Sequence, residues 1–320
     1  MKKILFIRSD RFGEFLLSLP AIKLARLNFP KSQIYLLAKR NNLELVKNID
    51  FIDYFLEYKM NVFSGYQGSF RLAKLFTAEN IDTVVALNPK KEFHLASFLA
   101  GVKLRVGYQR KWGFCLNRKI KDEKFSEAKH EVEYNIDLLK LICNKTDILD
   151  VDLNIDASNC LEGKIGLNLD KDEKLFVIHP FTSDRLKKID IVFWQKLIRE
   201  IKTNFQQKIV IIGSQEEKPE AKMLASQLLV DDITGNLSLP ELATFFKKYC
   251  QVFIGLDSGP LHLASLLKLP VVGLFKTTNP VRWGPFNTES LVVEENNLDS
   301  FLNRVPSIVD FSRQAGNKNR

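Results

Sequence analysis

The chain has 320 residues, enough for about two domains. With 45% hydrophobic and 27% charged residues it has the balance of a folded globular protein, and no window approaches the ~20 apolar residues that a bilayer-spanning helix needs. The net charge of +9 lies wholly in residues 1–150, which hold 26 Lys and Arg against 17 Asp and Glu, while residues 151–320 hold 21 of each.

Such asymmetry points the first half at something anionic: a nucleic acid, an acidic lipid surface or a phosphorylated substrate. Solubility is the plainer explanation of the same numbers. Cys115, Cys143, Cys160 and Cys250 are scattered without any C-x-x-C pair, which argues against both a disulfide framework and a zinc site and fits a reducing cytoplasm. His94, His130, His179 and His262 show no metal-ligand spacing either.

In chain order, the apolar run 4–7, cut short by Arg8, is too short for a signal peptide, and 4–8 reads as a first strand. A helix follows over 16–29, then a strand at 34–38, a helix at 43–48, a helix at 71–79 and a strand at 83–87. Residues 93–100 and 130–142 read as helices, and the basic stretch 109–129 as an irregular loop. Residues 150–172 are polar and acidic, the composition of a linker.

The second half alternates more regularly. Runs at 175–179, 209–213, 252–256 and 271–275 are rich in Val, Ile and Phe without period-2 alternation, as expected for strands buried on both faces of a parallel sheet. Helical patterns at 191–203, 218–229, 239–249 and 261–267 separate them. The succession predicts an α/β chain of two Rossmann-like domains facing across a cleft, 1–160 and 161–320. A last helix could return to the N-terminal domain.

Ligands of such sheets sit beyond the carboxyl ends of the strands, so the residues just after each run matter most. After the first run comes Arg8-Ser-Asp-Arg-Phe-Gly-Glu14. A carboxylate there can take a proton from a bound hydroxyl, or can merely favour the positive end of the next helix. Gly13 allows close backbone approach. After the run 175–179 comes Pro180-Phe-Thr-Ser-Asp-Arg-Leu-Lys-Lys188. Its hydroxyls and lysines could cradle a diphosphate, or form a solvated turn. After the run 209–213 comes Ser214-Gln-Glu-Glu-Lys218, where a carboxylate could meet a ribose as in Rossmann-type sheets or simply sit in a helix's first turn.

The stretch Gly255-Leu-Asp-Ser-Gly-Pro-Leu-His-Leu-Ala264 is the most telling. Asp257 or Ser258 can cap a helix, Gly259 allows close approach and Pro260 suits a first turn. The free N–H groups of that turn then face an anion, with His262 on the same turn. Neither G-x-G-x-x-G, a P-loop nor a nucleophile elbow occurs, and the basic half lacks the aromatic–basic interleaving of a recognised nucleic-acid module.

These motifs resemble glycosyltransferase family 9, the ADP-heptose:lipopolysaccharide heptosyltransferases, nearly end to end. The likeness rests on the opening Ile4–Ala21, on Asp232-Ile-Thr-Gly-Asn-Leu-Ser-Leu-Pro-Glu-Leu242, on Asp257-Ser-Gly-Pro-Leu-His-Leu-Ala264, on Leu269–Phe275 and on Asn279-Pro-Val-Arg-Trp-Gly-Pro285. The resemblance implies the GT-B fold, with the acceptor on the N-terminal half and the nucleotide sugar on the C-terminal half. It places Glu14 where the family has its proposed catalytic Asp. It assigns Thr182, Ser183 and Lys187 to the donor phosphates, Glu217 to the nucleoside, and Asp257, Ser258, Gly259 and His262 to the diphosphate–sugar motif. Three features depart from the family: Glu14 replaces Asp, Lys276 stands where glycine is usual, and no tryptophan follows Lys187.

What the resemblance implies is an inverting transfer of heptose from ADP-heptose to a hydroxyl of the lipopolysaccharide inner core, with no cofactor or metal. The partners would be the nucleotide sugar, an anionic core–lipid A acceptor and the inner face of the cytoplasmic membrane, with no nucleic acid. The enzyme would be cytoplasmic and peripheral on that membrane. Arg8, Arg11 and Gly13 are expected to serve the acceptor. So are the basic residues Arg110, Lys111, Arg118, Lys119, Lys121 and Lys124. A different nucleotide sugar, or a nucleotide-binding protein without turnover, is the alternative.

Overall fold

The structure, a computed structural model, describes residues 2–148, 150–155, 161–170 and 173–302. The chain divides into two compact units, Met1–Asn154 and Ile155–Arg320. A last helix returning to the first unit would fall beyond residue 302, outside the described residues.

In the first unit the elements run β1 (Lys3–Ile7), α1 (Phe12–Leu16), α2 (Leu19–Asn28), β2 (Gln33–Ala38), α3 (Arg40–Val46), β3 (Tyr54–Glu57), α4 (Met60–Phe63), α5 (Gly65–Ala78), β4 (Thr83–Ala86), α6 (Lys91–Leu99), β5 (Leu104–Tyr108), β6 (Arg118–Ile120) and α7 (Glu131–Leu139). The strands form one parallel sheet in the order β3-β2-β1-β4-β5-β6. From Ile4 to Ile7, β1 is fully buried, as its apolar run requires of a strand covered on both faces.

The helix expected over 16–29 is two helices. Ser18 Oγ donates to Phe15 O at 2.6 Å and closes α1, and Pro20, lacking an N–H, sits in the first turn of α2. Nor is the stretch 109–129 wholly irregular: β6 adds a sixth strand beside β5, flanked by two short 3-10 turns.

In the second unit α8 (Glu162–Ile165) precedes β7 (Leu175–His179), α9 (Ile191–Asn204), β8 (Ile209–Ile211), α10 (Lys218–Leu228), β9 (Asp231–Asp232), α11 (Leu239–Tyr249), β10 (Cys250–Leu256), α12 (Gly259–Leu266), β11 (Val271–Phe275), α13 (Pro280–Trp283), β12 (Ser290–Glu294) and α14 (Leu298–Leu302). Its parallel sheet has the order β12-β11-β10-β7-β8-β9. Numbered within its own unit, that is the same 3-2-1-4-5-6 order as the first sheet, the dinucleotide-binding Rossmann arrangement.

Helix starts follow the residue chemistry. Asp190 caps α9 by accepting from Val192 N at 2.7 Å, and Ser238 and Glu241 form a capping box at α11. The apolar face of α9 carries Phe193, Trp194, Leu197, Ile198 and Ile201 onto the sheet, at helical spacing. Strand order reverses between β1 and β4 and again between β7 and β10. The connections from the two adjacent strands leave to opposite faces there, so a crevice opens at their carboxyl ends, where ligands bind.

Candidate active site

In the second unit the switch point lies between β7 and β10, and residues far apart in sequence meet there. His179, the last residue of β7, has Nδ1 3.1 Å from Ser258 Oγ, just beyond β10. Its Nε2 is 3.6 Å from Glu217 Oε2, from the loop after β8. Lys187 Nζ lies 2.6 Å from Asp257 Oδ2, and His262 Nε2 lies 3.3 Å from Asp257 Oδ1. Two polar clusters, Glu217–His179–Ser258 and Lys187–Asp257–His262, joined through the Asp257–Ser258 backbone, thus span three strand ends.

Ser258 occupies the N-cap of α12, yet its side chain makes no cap hydrogen bond. With its hydroxyl against His179, the first turn of α12 keeps unsatisfied N–H groups at the positive end of the helix dipole. Gly259 begins that turn, and Lys187, mostly buried, stands beside it. Such a turn accommodates an anion.

Asp257 is 4% exposed. Burial would push its carboxyl up, but the hydrogen bond and charge of His262, together with Lys187, outweigh it and hold it at about 2. Glu217 is lowered likewise: burial is opposed by His179 and by Ser214, whose N–H donates to Oε2 at 2.6 Å. The approach needs Gly213, where a Cβ would lie 2.9 Å from Glu217 Oε2 and 3.0 Å from Phe181 and Thr234 side-chain atoms. Gly235 has φ +75°, and a Cβ there would meet Gln215 backbone at 3.0 Å. The Thr234–Gly235 segment therefore docks tightly on the loop that bears Glu217.

Of the other donor-side residues, Thr182 Oγ1 accepts from Asp184 N at 3.2 Å and shapes the loop after β7. Ser183 is exposed on the same loop. The sequence marks His179 only as the end of an apolar run and as one of four histidines without metal-ligand spacing. The signal that could have found it is a ring nitrogen closing an otherwise apolar run at the ligand-facing edge.

In the first unit the switch point lies between β1 and β4. Ser9 N donates to Asn88 Oδ1 at 3.2 Å and Asn88 Nδ2 to Ser9 Oγ at 3.2 Å, joining the loops after the two strands. Glu14 sits in the first turn of α1, behind Arg11 at the N-cap and buried Gly13. Burial, then the neighbouring Asp10 charge, raises its carboxyl above the ordinary value, against the pull of its own backbone hydrogen bond, Arg8 and Arg11. A carboxylate so raised is a stronger base.

Arg8 and Lys124, expected at an acceptor surface, turn inward instead. Arg8 is 1% exposed; its guanidinium lies 3.2 Å from Glu131 and donates to Leu87 O at 3.2 Å. Its Nε is 2.9 Å from Asp10 Oδ1, close enough for an ion pair though not aligned as a hydrogen bond. Lys124 Nζ reaches the same Glu131 at 2.5 Å and lies over the Tyr108 ring. The reason is Glu131, a buried carboxylate that requires countercharge. Among the remaining basic positions, Arg110 pairs with Asp122 at 2.8 Å, Lys121 is 3.7 Å from Glu123, and Lys119 Nζ donates to Gly113 O at 3.4 Å. Lys111 and Arg118 are exposed.

Residues 69–303 match the family model described as Glycosyltransferase family 9 (heptosyltransferase). A "Putative glycosyltransferase" of Haemophilus influenzae is 24% identical over 304 residues, covering 90% of this chain and 87% of that protein. "Lipopolysaccharide heptosyltransferase 3" of Escherichia coli K12 is 25% identical over 304 residues, covering 88% and 84%. The fold recurs in the solved structure of E. coli ADP-heptose lps heptosyltransferase II, with a TM-score of 0.78 over 98% of this chain and 99% of that one at 16% identity. Two Rossmann-ordered sheets in the GT-B manner, a family match over most of the chain and relatives aligned along nearly all of it agree: the chain belongs to glycosyltransferase family 9, the heptosyltransferases.

Proposed function

We propose that this glycosyltransferase moves heptose from ADP-heptose to a hydroxyl of a lipopolysaccharide inner core, with inversion at the anomeric carbon. The observation that carries the donor half of this reading is the first turn of α12. Its N-cap Ser258 gives its hydroxyl to His179 rather than to the helix, and Lys187 pairs with Asp257 just before it. Charge that grows on a departing diphosphate would fall on the free N–H groups of that turn and on Lys187, already oriented before reaction. The reading therefore assigns no metal ion or cofactor.

Glu14 would act as the general base, helped by its raised proton affinity. The acceptor O–H gives its proton to Glu14 as its oxygen bonds to the anomeric carbon. The bond from that carbon to the β-phosphate oxygen breaks, and ADP leaves with the electron pair. Glu217 would meet the nucleoside, and Thr182, Ser183 and His262 the phosphates and sugar. The relatives named for lipopolysaccharide support the acceptor class. No described helix is long and apolar enough to cross a membrane, so the proposed work at the inner face of the cytoplasmic membrane would use surface contacts.

Thermal-shift titration with ADP, UDP and GDP tests the donor. ADP alone should stabilise the protein, by about 2.7 kcal/mol at a hundredfold excess over its Kd, and Lys187→Ala should abolish the effect. Preference for uridine or guanosine would overturn the donor assignment. Product analysis with ADP-heptose and a truncated lipopolysaccharide reads the acceptor and the anomeric outcome; no transfer would overturn the reaction.

A further inference from the structure

The first unit displays a chain of exposed aromatic side chains that neither its core nor its proposed chemistry uses. Tyr66 and Phe70 lie one turn apart on α5 and are 68% and 55% exposed. Tyr66 meets Trp112 with ring centroids 5.7 Å apart, and Trp112 meets Phe114, 75% exposed, at 5.7 Å. Arg105 continues the chain: its Nε donates to Cys115 O at 2.6 Å and its guanidinium lies 5.6 Å from the ring of Phe98 on α6, itself exposed. As α5 and α6 pack side by side and α6 packs on the turn 113–115, these rings share one face. Single exposed apolar residues are ordinary, but a contiguous set marks an interaction surface.

The turn that presents Trp112 and Phe114 is held at a conformational cost. Lys111 and Trp112 both have positive φ, +47° and +68°, in a region that a bulky side chain rarely adopts. Fully buried His94 fixes it, with Nδ1 3.0 Å from Lys111 O. Backbone held so against its preference is characteristic of functional segments.

The charge of this face is one-sided. Residues 60–78 and 93–121, which supply all these aromatics, hold nine Lys and Arg and no Asp or Glu; the acids beside them are Glu92, at the start of α6, which accepts from Gly65 N at 3.0 Å, and Asp122, which pairs with Arg110. Exposed Lys74 lies one turn beyond Phe70 on α5, and exposed Lys103 follows α6. Aromatic rings favour the headgroup boundary of a bilayer, and Lys and Arg around them are drawn to anionic lipid. We infer that the face formed by α5, α6 and the Trp112–Phe114 turn docks the protein on an anionic membrane surface, with the rings in the headgroup region and the cations at its rim. The inference deepens the reading of a membrane-borne acceptor and rests on that reading for its purpose.

The test is co-sedimentation of the full chain with phosphatidylethanolamine–phosphatidylglycerol vesicles free of lipopolysaccharide, so that lipid docking is read apart from heptose transfer. Wild type should bind, with a blue shift of tryptophan emission that Trp112→Phe lacks, and phosphatidylcholine vesicles should bind roughly tenfold or more weakly. Phe70→Ser with Phe114→Ser should weaken binding roughly tenfold or more, and Lys74→Glu with Lys103→Glu should do so in a salt-dependent way. Unchanged melting and ADP binding in these variants would show that the fold survives. No vesicle binding by wild type, binding indifferent to both pairs of substitutions, or self-association abolished by the Ser variants without lipid binding would overturn the inference. Vesicle binding without heptose transfer would leave it standing and sink the proposed reaction.

Discussion

Asp257→Asn keeps the shape of the side chain and removes the charge that joins Lys187 to His262. In the folded protein the carboxyl is held at about 2 against an ordinary 3.8. At 1.36 kcal/mol per pH unit, the ionised carboxylate contributes about 2 kcal/mol, and at 4% exposure solvent screens little of it. The sign follows from the depressed value. Between the two pKa values the unfolded chain binds more protons, so the contribution is fully present above 3.8 and is lost as pH falls through about 2. About half of it should survive at pH 3. A loss of 2 kcal/mol lowers the Tm of a unit this size by roughly 4–8 °C. Melting should be followed by tryptophan emission in a Trp112→Phe background, because Trp194 and Trp283, the remaining two, both belong to the second unit. A variant melting with wild type at pH 7, or a deficit that stays the same size at pH 3, would refute the electrostatic account of this cluster.

Glu14→Gln should lower kcat by about 10²–10⁴ while leaving ADP binding intact. Because burial and Asp10 raise the carboxyl, the acidic limb of the wild-type rate profile should sit above the ordinary glutamate value, and the variant should lack it. Unchanged kcat would remove Glu14 from the chemistry. Glu131→Gln leaves Arg8 and Lys124 without their shared carboxylate, and should cost about 3–5 kcal/mol in chemical denaturation. A loss below about 1 kcal/mol would mean that water or another acid replaces it.

Where the chain buries a strand on both faces, composition alone locates it. Leu175–His179 and Val271–Phe275 were expected and found at the same residues, as was the helix Leu239–Tyr249. Strands β3, β6 and β12 escaped because they lie at sheet edges and are half exposed, with apolar runs no longer than the three residues 54–56 and 291–293. Their extended form comes from pairing with a neighbour. In β5, Arg105 and Gly107 interrupt the apolar pattern. The split of the 16–29 helix turns on the Ser18 hydroxyl and on Pro20, neither of which apolar periodicity registers.

The candidate site divides in the same way. Local sequence determined the chemistry offered after each strand: a carboxylate behind a glycine at Glu14, a lysine loop at Lys187, and Ser258-Gly259-Pro260 opening a helix. Tertiary structure decided who meets whom. His179 and Ser258 stand 79 positions apart and Lys187 and Asp257 stand 70 apart, and they touch because β7 pairs directly with β10. In the first unit, its own sheet and α7 bury Arg8 and Lys124 around Glu131 in the same manner, although in sequence they look as available as any surface cation. A strand's propensity is written in its own residues, but its neighbour is chosen by long-range packing and burial of the whole sheet, so partners and countercharges emerge only when the fold closes.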